Sequence, residues 1–353
     1  MTRRFRLAAL FTLASALLAF AAPAFASPAD RLERFRALAS ARLGTADVVG
    51  DPAGDETYRE IYTLLDEEIV ESLASGSVFA SVAFLQDRLD GFGEAWGATV
   101  VRIMRAGPLT VGAFQLSDGL VGNSVRVYGR LRDESALLAT LSREGRPFLF
   151  PLPASGTPAQ FLVAWEGQPS THGTRPLLLE IARHDGDGVR VVWSSSTAFP
   201  DGLFVRRWGV RGSEIRVQYE VRYPGWTPGC EGQTEQEDVY RLAPGAATFA
   251  RVARSNLNAW HRDFRLSVAR LFSAITADDR QTLTGLVPDP KVRSQLPRSL
   301  RAEPACDAAE GQLPDRVSTA ATAERGPWQL MWERRGSVWR LVQAAPVPSR
   351  IVQ

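Results

Sequence analysis

The chain has few of the residues from which metal and nucleophile sites are usually built. Its 353 residues include three histidines and two cysteines. A three-histidine zinc site would need His172, His184 and His261 together, and none of them lies at metal-ligand spacing. The sequence also has no Gly-x-Ser-x-Gly, His-Glu-x-x-His, P-loop or strand-linked Gly-x-Gly-x-x-Gly motif. We therefore predict no metal and no cofactor, and the commonest hydrolase and nucleotide-binding signatures are excluded.

The chain also lacks an excess of charge of one sign, with 41 basic and 39 acidic residues. Lys291 is its one lysine, and the other basic residues are scattered arginines. Without residues 1–26, which hold three arginines and no acidic residue, 38 basic and 39 acidic residues remain. Such a balance gives no electrostatic footprint for DNA or RNA, so we predict no nucleic-acid partner.

The first 26 residues have the three parts of a signal peptide. Three arginines (positions 3, 4 and 6) precede an apolar run from Leu7 to Phe20, and Ala24-Phe25-Ala26 is a small-x-small cleavage site. The alternative is a membrane anchor, but the run is shorter than the ~20 residues that a bilayer span needs. We predict cleavage after Ala26, a periplasmic or secreted protein, and no stable membrane anchor. Export by the twin-arginine route is a second possibility.

The two cysteines both follow proline-led, loop-like tripeptides, Cys230 in Pro-Gly-Cys and Cys306 in Pro-Ala-Cys. Two cysteines in an exported protein suggest a disulfide bond, because the compartment is oxidising. The alternative is two separate free thiols, since a bridge requires Cα atoms within ~7 Å of each other.

Residues 27–98 are predicted to form a helical N-terminal region. Apolar residues recur there at three- and four-residue steps in two stripes, Tyr58, Ile61, Tyr62, Leu65, Ile69 and Leu73, and then Val78, Val82, Leu85, Leu89 and Phe92. Asp55 is expected to cap the first helix and Gly76 to end it. The acidic run Asp66-Glu67-Glu68 is interpreted as a solvated helix face.

Residues 99–254 are predicted to form an antiparallel β domain of meander or sandwich type. Strands are expected at 99–105, 109–116, 123–131, 147–152, 159–166, 177–183, 189–195, 203–211, 215–223 and 237–242, whereas 134–142 is compatible with strand or helix. Ile215, Val217 and Tyr219 alternate with polar residues, which is typical of a sheet with one wet face. The short links between strands exclude crossover helices and favour antiparallel pairing.

Residues 255–353 are predicted to form helices followed by an antiparallel sheet. Phe264, Val268, Leu271 and Ile275 form a helical apolar stripe, and Trp328, Leu330, Trp332, Trp339 and Leu341 alternate as in strands. The predicted fold class is therefore α+β with several domains.

Two resemblances follow from these segments. Arg270-Leu271-Phe272-Ser273-Ala274-Ile275 with Asp278, Leu286-Val287, and the Trp328…Trp332 and Trp339-Arg340-Leu341 hairpin resemble the cystatin-like cone fold of the nuclear-transport-factor-two-like superfamily. That resemblance covers the last quarter of the chain and implies a cone-shaped domain; the family includes enzymes and non-catalytic exported domains. The hairpins around Asp185-Gly186-Asp187-Gly188 and Val191-Val192-Trp193 are similar to repeat units of extracellular β-propellers, although regular repeats are too few to indicate a propeller.

The candidate site residues are few. His261 and Asp263 could act as a base and its orienting acid; alternatively, Asp263 caps a helix and His261 packs. Trp226 lies in a Pro- and Gly-rich loop near Cys230 and is a candidate ligand contact, with loop packing as its alternative. Asp185-Gly186-Asp187-Gly188 resembles the start of a calcium loop, but it lacks the later ligands and is interpreted as a hairpin turn.

Three functions remain open. The first is a non-catalytic exported protein that binds an envelope protein or a small ligand through its β domain. The second is a hydrolase-like enzyme with a pocket in the C-terminal domain, and the third is a structural envelope component. A cluster of titratable groups in one cleft would favour the enzyme, whereas a shallow groove lined by aromatic residues would favour the binding protein.

Overall fold

The computed structural model describes residues 28–42, 52–97, 100–117, 122–153, 158–186, 188–309 and 313–347. The predicted signal peptide, residues 1–26, lies outside these ranges. The helices are α1 (Pro28–Arg42), α2 (Pro52–Ser75), α3 (Val82–Trp96), α4 (Ala259–Ala277), α5 (Arg280–Leu286) and α6 (Pro290–Gln295). The strands are β1 (Val100–Ala106), β2 (Leu109–Gln115), β3 (Asn123–Leu131), β4 (Glu134–Ser142), β5 (Arg146–Pro151), β6 (Gln160–Glu166), β7 (Arg175–Asp185), β8 (Gly188–Ser194), β9 (Leu203–Arg211), β10 (Glu214–Glu220), β11 (Glu235–Leu242), β12 (Phe249–Leu257), β13 (Arg301–Ala302), β14 (Ala308–Ala309), β15 (Arg316–Ala323), β16 (Gly326–Arg335) and β17 (Val338–Pro346).

The predicted α+β class is confirmed, with six helices and three antiparallel sheets in the described part of the chain. The first sheet is a meander in the order β1-β2-β3-β4. The second has eight strands in the order β12-β11-β10-β9-β7-β6-β5, with β8 beside β7, and the third has the order β13-β15-β16-β17, with β14 beside β15. The segment 134–142, which the sequence left open, is strand β4.

Helices α1 to α3 cover one face of the first sheet. Their common core holds Phe35, Ile61, Leu65, Ile69, Leu85, Leu89 and Phe92 from the helices and Val101, Ile103 and Phe114 from the strands. Helix α2 begins at Pro52, three residues before the expected cap Asp55, and Gly76 follows its last residue with φ 66°. The N-terminal helical region is therefore a layer of the β domain, because its apolar stripes are buried against that domain.

The acidic run on α2 does not form the solvated face that we expected. Glu68 is 2% exposed and pairs with Arg31 at 3.0 Å and Arg88 at 2.8 Å. Asp66 accepts a hydrogen bond of 2.6 Å from Arg126 Nε of β3. A buried carboxylate is tolerated when it is paired in this way. These ion pairs join α2 to α1, α3 and the sheet.

The first and second sheets pack face to face as a sandwich. Strand β2 lies at the centre, with six of its seven residues buried, because the helices cover one face and the large sheet covers the other. The shared layer contains Leu109, Val111, Ala113, Val125 and Val127 from the meander and Phe161, Val163, Trp165 and Ala182 from the large sheet. The result is three layers: helices, meander and large sheet.

The large sheet is strongly curved. Phe148 on β5 contacts Trp208 on β9 with ring centroids 5.5 Å apart, although two strands lie between them. In a flat sheet these strands would be about 14 Å apart, since neighbouring strands are about 4.8 Å apart. Gln160 of β6 also donates a hydrogen bond to the carbonyl of Ala246, between β11 and β12, at 3.2 Å. The sheet therefore curls around its own apolar face.

The sequence pattern missed strand β12, which runs from Phe249 to Leu257. The predicted boundary between residues 254 and 255 falls inside this strand, and the helical unit begins only at Ala259. The reason is that every residue of β12 after Phe249 is exposed, so neither face requires apolar residues and no alternation arises.

The C-terminal unit consists of α4 to α6 packed on the third sheet, in the predicted order of helices and then strands. Phe264 of α4 contacts Trp332 and Trp339, with ring centroids 5.7 and 5.0 Å away. Both tryptophans are fully buried, as their alternation with polar residues indicates. This core is separate from that of the curved sheet.

Candidate functional site

The strongest cluster of chemically competent side chains lies where the β10–β11 loop meets the start of α4. His261 Nδ1 is 2.6 Å from Tyr223 Oη, and His261 Nε2 is 2.9 Å from Asp307 Oδ2. The side chains of His261 and Asp307 are 4% and 3% exposed. A half-buried tyrosine, a buried histidine and a buried aspartate side chain thus form one hydrogen-bonded series between the β domain and the C-terminal unit.

The direction of each hydrogen bond in this chain follows from its partners. The Thr234 backbone N–H donates to Tyr223 Oη at 3.0 Å, so the phenol oxygen is already an acceptor there. Burial raises the pKa of Tyr223, which keeps its proton on the oxygen at neutral pH. We infer that this proton is donated to His261 Nδ1, so that Nε2–H donates to Asp307. Both imidazole nitrogens are then used within the protein.

Arg265 balances the charge of Asp307. Its Nε lies 2.7 Å from Asp307 Oδ2, and its Nη2 donates to the Ala305 carbonyl at 3.0 Å. Gly225, with φ 84°, packs directly on this arginine, and a Cβ there would come within 2.9 Å of Arg265 Cδ. Glycine is therefore required at position 225 both by its backbone conformation and by the close approach of the arginine.

The disulfide bond adjoins this network. Cys230 and Cys306 are bonded; their Cα atoms are 5.3 Å apart, and the two residues are 76 positions apart in sequence. Cys306 directly precedes Asp307, so the bond also fixes the segment that carries the carboxylate. The predicted bridge is confirmed, and it joins the β10–β11 loop to the C-terminal unit.

Trp226 lies in the same loop and is half-buried. Its ring faces the Arg222 guanidinium at 5.5 Å, and its backbone N–H donates to the Tyr223 carbonyl at 2.9 Å. Gln233 closes the loop by hydrogen bonds to Thr227 and to the Cys230 carbonyl. The loop therefore presents Trp226 on a rigid base, with one side of the ring occupied by an arginine.

Asp263, the acid that the sequence paired with His261, is placed elsewhere. Its side chain is 59% exposed and lies 3.9 Å from Arg262, whereas the carboxylate at His261 belongs to Asp307. The proposed capping role is also wrong, because Asn258 occupies the N-cap position of α4 and Asp263 is inside the helix. No sequence pattern points to Asp307 except its position next to Cys306.

A cleft of about 640 Å³ opens at the end of the curved sheet where β6 ends and β7 and β9 begin. Its lining comprises residues 144–146, 165–169, 175–178, 195–196, 199 and 202–204, together with Gln115. Glu166 is the central polar residue, because it pairs with Arg175 at 2.6 Å and accepts a 2.6 Å hydrogen bond from Trp208 Nε1. Phe204, 46% exposed, lines the same cleft.

Another buried carboxylate lies on the curved face of the large sheet. Asp238 of β11 is 0% exposed and accepts two hydrogen bonds from Arg254 of β12, at 2.9 and 3.0 Å, and one from Tyr219 Oη at 3.0 Å. Burial acts to raise the pKa of Asp238, but the hydrogen bonds from Arg254 and Tyr219 outweigh it and lower the pKa. Arg251, 3.6 Å away, adds a second positive charge.

Three further features of the described residues bear on function. No group of three or more histidine, cysteine or acidic side chains is arranged to hold a metal ion there. Asp185 and Gly188 are the closing pair of the β7–β8 hairpin, in agreement with the predicted turn, and Asp185 pairs with Arg190 at 2.6 Å; Asp187 lies outside the described residues. No helix in the described ranges has the length and apolar character needed to cross a membrane.

Comparison with known proteins does not assign the chain to a family. No family model matches the chain, and no curated protein sequence matches it. Among solved structures, a protein from Lactobacillus plantarum matches with 9% identity over 69% of each chain and a TM-score of 0.19. A resemblance of that size supports no conclusion about fold or function.

Proposed function

We propose that this chain is an exported, non-catalytic binding protein whose ligand site is the cleft lined by Glu166, Arg175 and Phe204. The observation that carries the proposal is the cleft itself, because its volume lies within the ~300–1,000 Å³ typical of small-ligand sites. The signal-peptide pattern and the disulfide bond support an oxidising compartment outside the cytoplasm.

The lining of the cleft favours a ligand with both charges and an apolar part. Glu144 and Arg146 are exposed and flank a turn at its edge, and Arg175 is held by Glu166. Phe204 adds an exposed aromatic face. Acidic and basic groups of equal number suit a zwitterion, so we propose a short peptide or an amino acid as the ligand class.

The hydrolase-like alternative would use the Tyr223–His261–Asp307 chain. This alternative is supported by the geometry of the three side chains, because an acid orients a catalytic base in a similar way. Against it, both ring nitrogens of His261 are hydrogen-bonded inside the protein and the side chain is 4% exposed. We infer that these three hydrogen-bonded side chains, together with the disulfide bond, instead form a structural link between the β domain and the C-terminal unit.

We also propose that the C-terminal unit has the cystatin-like cone fold that its sequence resembles. Its support is the order of its elements, three helices followed by an antiparallel sheet. Under this proposal the unit contributes a scaffold, and the ligand site lies in the β domain.

The binding proposal is tested by thermal-shift screening with a panel of amino acids, dipeptides and monosaccharides. A ligand at 100 times its Kd should stabilise the protein by about 2.7 kcal/mol, or roughly 5–10 °C in Tm. Phe204→Ala removes the aromatic lining and should abolish the shift. Phe79→Ala is the matched control, because Phe79 is 50% exposed, lies between α2 and α3 and is not part of the cleft.

Two outcomes would overturn the proposal. One is that no member of the panel stabilises the wild-type protein. The other is that a stabilising compound acts equally on Phe204→Ala and Phe79→Ala, which would locate its site outside the cleft. Stabilisation by monosaccharides alone would overturn only the zwitterionic ligand class.

A further inference from the structure

A groove of about 460 Å³ lies on the outer face of the large sheet. It is lined by residues 207–211 of β9, by Glu214, Arg216 and Gln218 of β10, and by Glu237 of β11. On β10 the lining residues alternate with Ile215 and Val217, which are buried in the core of the curved sheet. The groove, which we call the β9 groove, therefore faces away from that core. It shares no residue with the cleft lined by Glu166.

Gly209 forms the floor of the β9 groove. Its neighbours Trp208 and Val210 pack against the core of the curved sheet, so position 209 faces outward. The φ of Gly209 is not in the left-handed region, and a Cβ added there would meet no atom of a non-neighbouring residue within 4 Å. Neither the backbone nor the packing of the fold therefore requires glycine at this position. A glycine inside a strand weakens the strand and often marks a point where a ligand approaches the backbone closely.

Three arginines surround this floor. Arg207 and Arg211 lie two residues to either side of Gly209 on β9, and Arg216 of β10 is paired directly with Gly209. Residues at these spacings share one face of a sheet, so the three side chains border the same depression. All three arginines are exposed. Their guanidinium groups are therefore accessible to a ligand from solvent.

The carboxylate of Glu214 is already engaged within this face. Arg216 Nε and Arg241 Nη2 each lie 3.0 Å from one of its oxygens. These hydrogen bonds, that from Arg241 above all, lower the pKa of Glu214, so the carboxylate is ionised at neutral pH. Glu237 lies 4.0 Å from Arg216. Both acidic residues of the groove thus pair with the same arginine, Arg216.

Arg207 and Arg211, in contrast, have no acidic partner within 4.0 Å in the part of the chain that the structure describes. Counted with Arg216 and Arg241, this face has four basic residues and two acidic ones, an excess of two positive charges. Without residues 1–26, the chain as a whole has 38 basic and 39 acidic residues. The excess is therefore local, and a concave surface of one charge sign raises the concentration of oppositely charged ligands near it.

We propose that the β9 groove binds a small organic ligand with a carboxylate or phosphate group, which Arg207 and Arg211 contact while the rest of the ligand lies over Gly209. Guanidinium groups form paired hydrogen bonds with both kinds of oxyanion. The volume of the groove falls within the ~300–1,000 Å³ of small-ligand sites and leaves room for an organic group beside the anion. This site is additional to the cleft and does not depend on the ligand proposed there.

Isothermal titration calorimetry on the mature, disulfide-bonded chain at low ionic strength tests the proposal. The probes are succinate for a carboxylate and glycerol phosphate for a phosphate, with succinamide and glycerol as their neutral counterparts. At least one anion should bind with a Kd on the order of 1 mM or below, and neither neutral compound should bind. Added salt should weaken the binding, because the arginines are exposed. The anion that binds identifies the ligand class as carboxylate or phosphate.

Removal of single guanidinium groups tests the two arginines that have no acidic partner. Arg207→Gln and Arg211→Gln should each weaken the binding about tenfold, which is the usual effect of losing one hydrogen bond between charged groups. Arg325→Gln is the matched control, because Arg325 is exposed and lies between β15 and β16 of the C-terminal unit. It removes the same charge far from the groove and should change the Kd less than about twofold.

Gly209→Val tests the floor of the groove. The added side chain fills the space between the arginines and should abolish detectable binding, whereas the Tm should not fall, because valine is favoured in strands and the Cβ meets no other residue. Gly188→Val is the matched control: Gly188 of β8 also has open space around its Cα and lies outside the groove. Phe204→Ala alters the cleft and should leave the Kd of the anion unchanged.

Several results would overturn the proposal. Neither anion binds the wild-type protein, or the neutral compounds bind as tightly as the anions. Arg325→Gln weakens the binding as much as Arg207→Gln and Arg211→Gln do, or a folded Gly209→Val binds like the wild type. Loss of binding in Phe204→Ala would place the anion in the cleft instead. The two arginine variants, which change exposed side chains, decide the matter even if Gly209→Val does not fold.

Discussion

Loss of the Cys230–Cys306 bond should destabilise the protein by about 4 kcal/mol. The bond closes a loop between residues 76 positions apart. In the chain-entropy model, a loop of that length restricts the unfolded chain by roughly 4–4.5 kcal/mol at 25 °C. For a unit of fewer than 100 residues, such as the C-terminal unit, about 4 kcal/mol corresponds to a decrease in Tm of roughly 15–30 °C. The same decrease is expected for Cys230→Ser, for Cys306→Ser and for the double variant.

Differential scanning calorimetry of the three variants and the wild-type protein measures this effect. The C-terminal core is separate from the core of the curved sheet, so the transition of the C-terminal unit should move most. A reductant should lower the wild-type Tm to that of the variants and leave the variants unchanged. That control separates loss of the bond from loss of cysteine packing, since Cys230 itself is buried.

Additive losses in the double variant would refute this reasoning. Two residues that act only through a shared bond cannot destabilise the protein twice. A decrease in the Tm of the double variant on addition of reductant would also refute it, because that variant has no disulfide to reduce. Equal single and double losses, with reductant acting on the wild-type protein alone, are the expected pattern.

The other predictions concern carboxylates and the leader. Asp307→Asn leaves the buried Arg265 without its counter-charge and should cost about 3–5 kcal/mol in urea unfolding, whereas Asp263→Asn on the surface should stay within about 0.5 kcal/mol. Because the pKa of Asp238 is lowered, its contribution to stability is complete above the unfolded-state pKa of about 3.9 and is lost as the pH falls through the lower folded-state pKa. Unfolding of the wild-type protein and of Asp238→Asn as a function of pH should show a steeper acid loss in the wild type; parallel curves would contradict this. Mass spectrometry of exported protein should find an N-terminus after Ala26, and a retained Met1 would disprove cleavage.

The elements that could be predicted are those with one buried face. Ile215 and Val217 are fully buried and alternate with exposed or half-buried residues, as their pattern in the sequence indicates. Strand β12 could not be found in this way, since exposure of both faces removes the requirement for alternation. Asp66 and Glu68 were misread for the opposite reason. Their charge suggested solvent, but the arginines that neutralise them come from distant segments.

The residues of the candidate site also divide into those that the sequence predicted and those that it did not. His261, Trp226 and both cysteines were identified as candidates from the sequence, and the fold brings the histidine and the disulfide bond to one junction. The acid partner of His261 was not identified, because Asp307 lies 46 positions away and its approach depends on the disulfide loop.

Local periodicity therefore determined most of the helices and strands and the antiparallel class of the strands, since helical and strand repeats are properties of neighbouring residues. Helix α6, Pro290–Gln295, was missed because the sequence reading took Pro290 as a helix stop. Short links between strands excluded crossover connections for the same local reason. The curvature of the large sheet, the three-layer packing, the cleft and the Tyr223–His261–Asp307 chain were decided only by the tertiary structure. Each depends on contacts between residues far apart in sequence, and such contacts leave no pattern in any single segment.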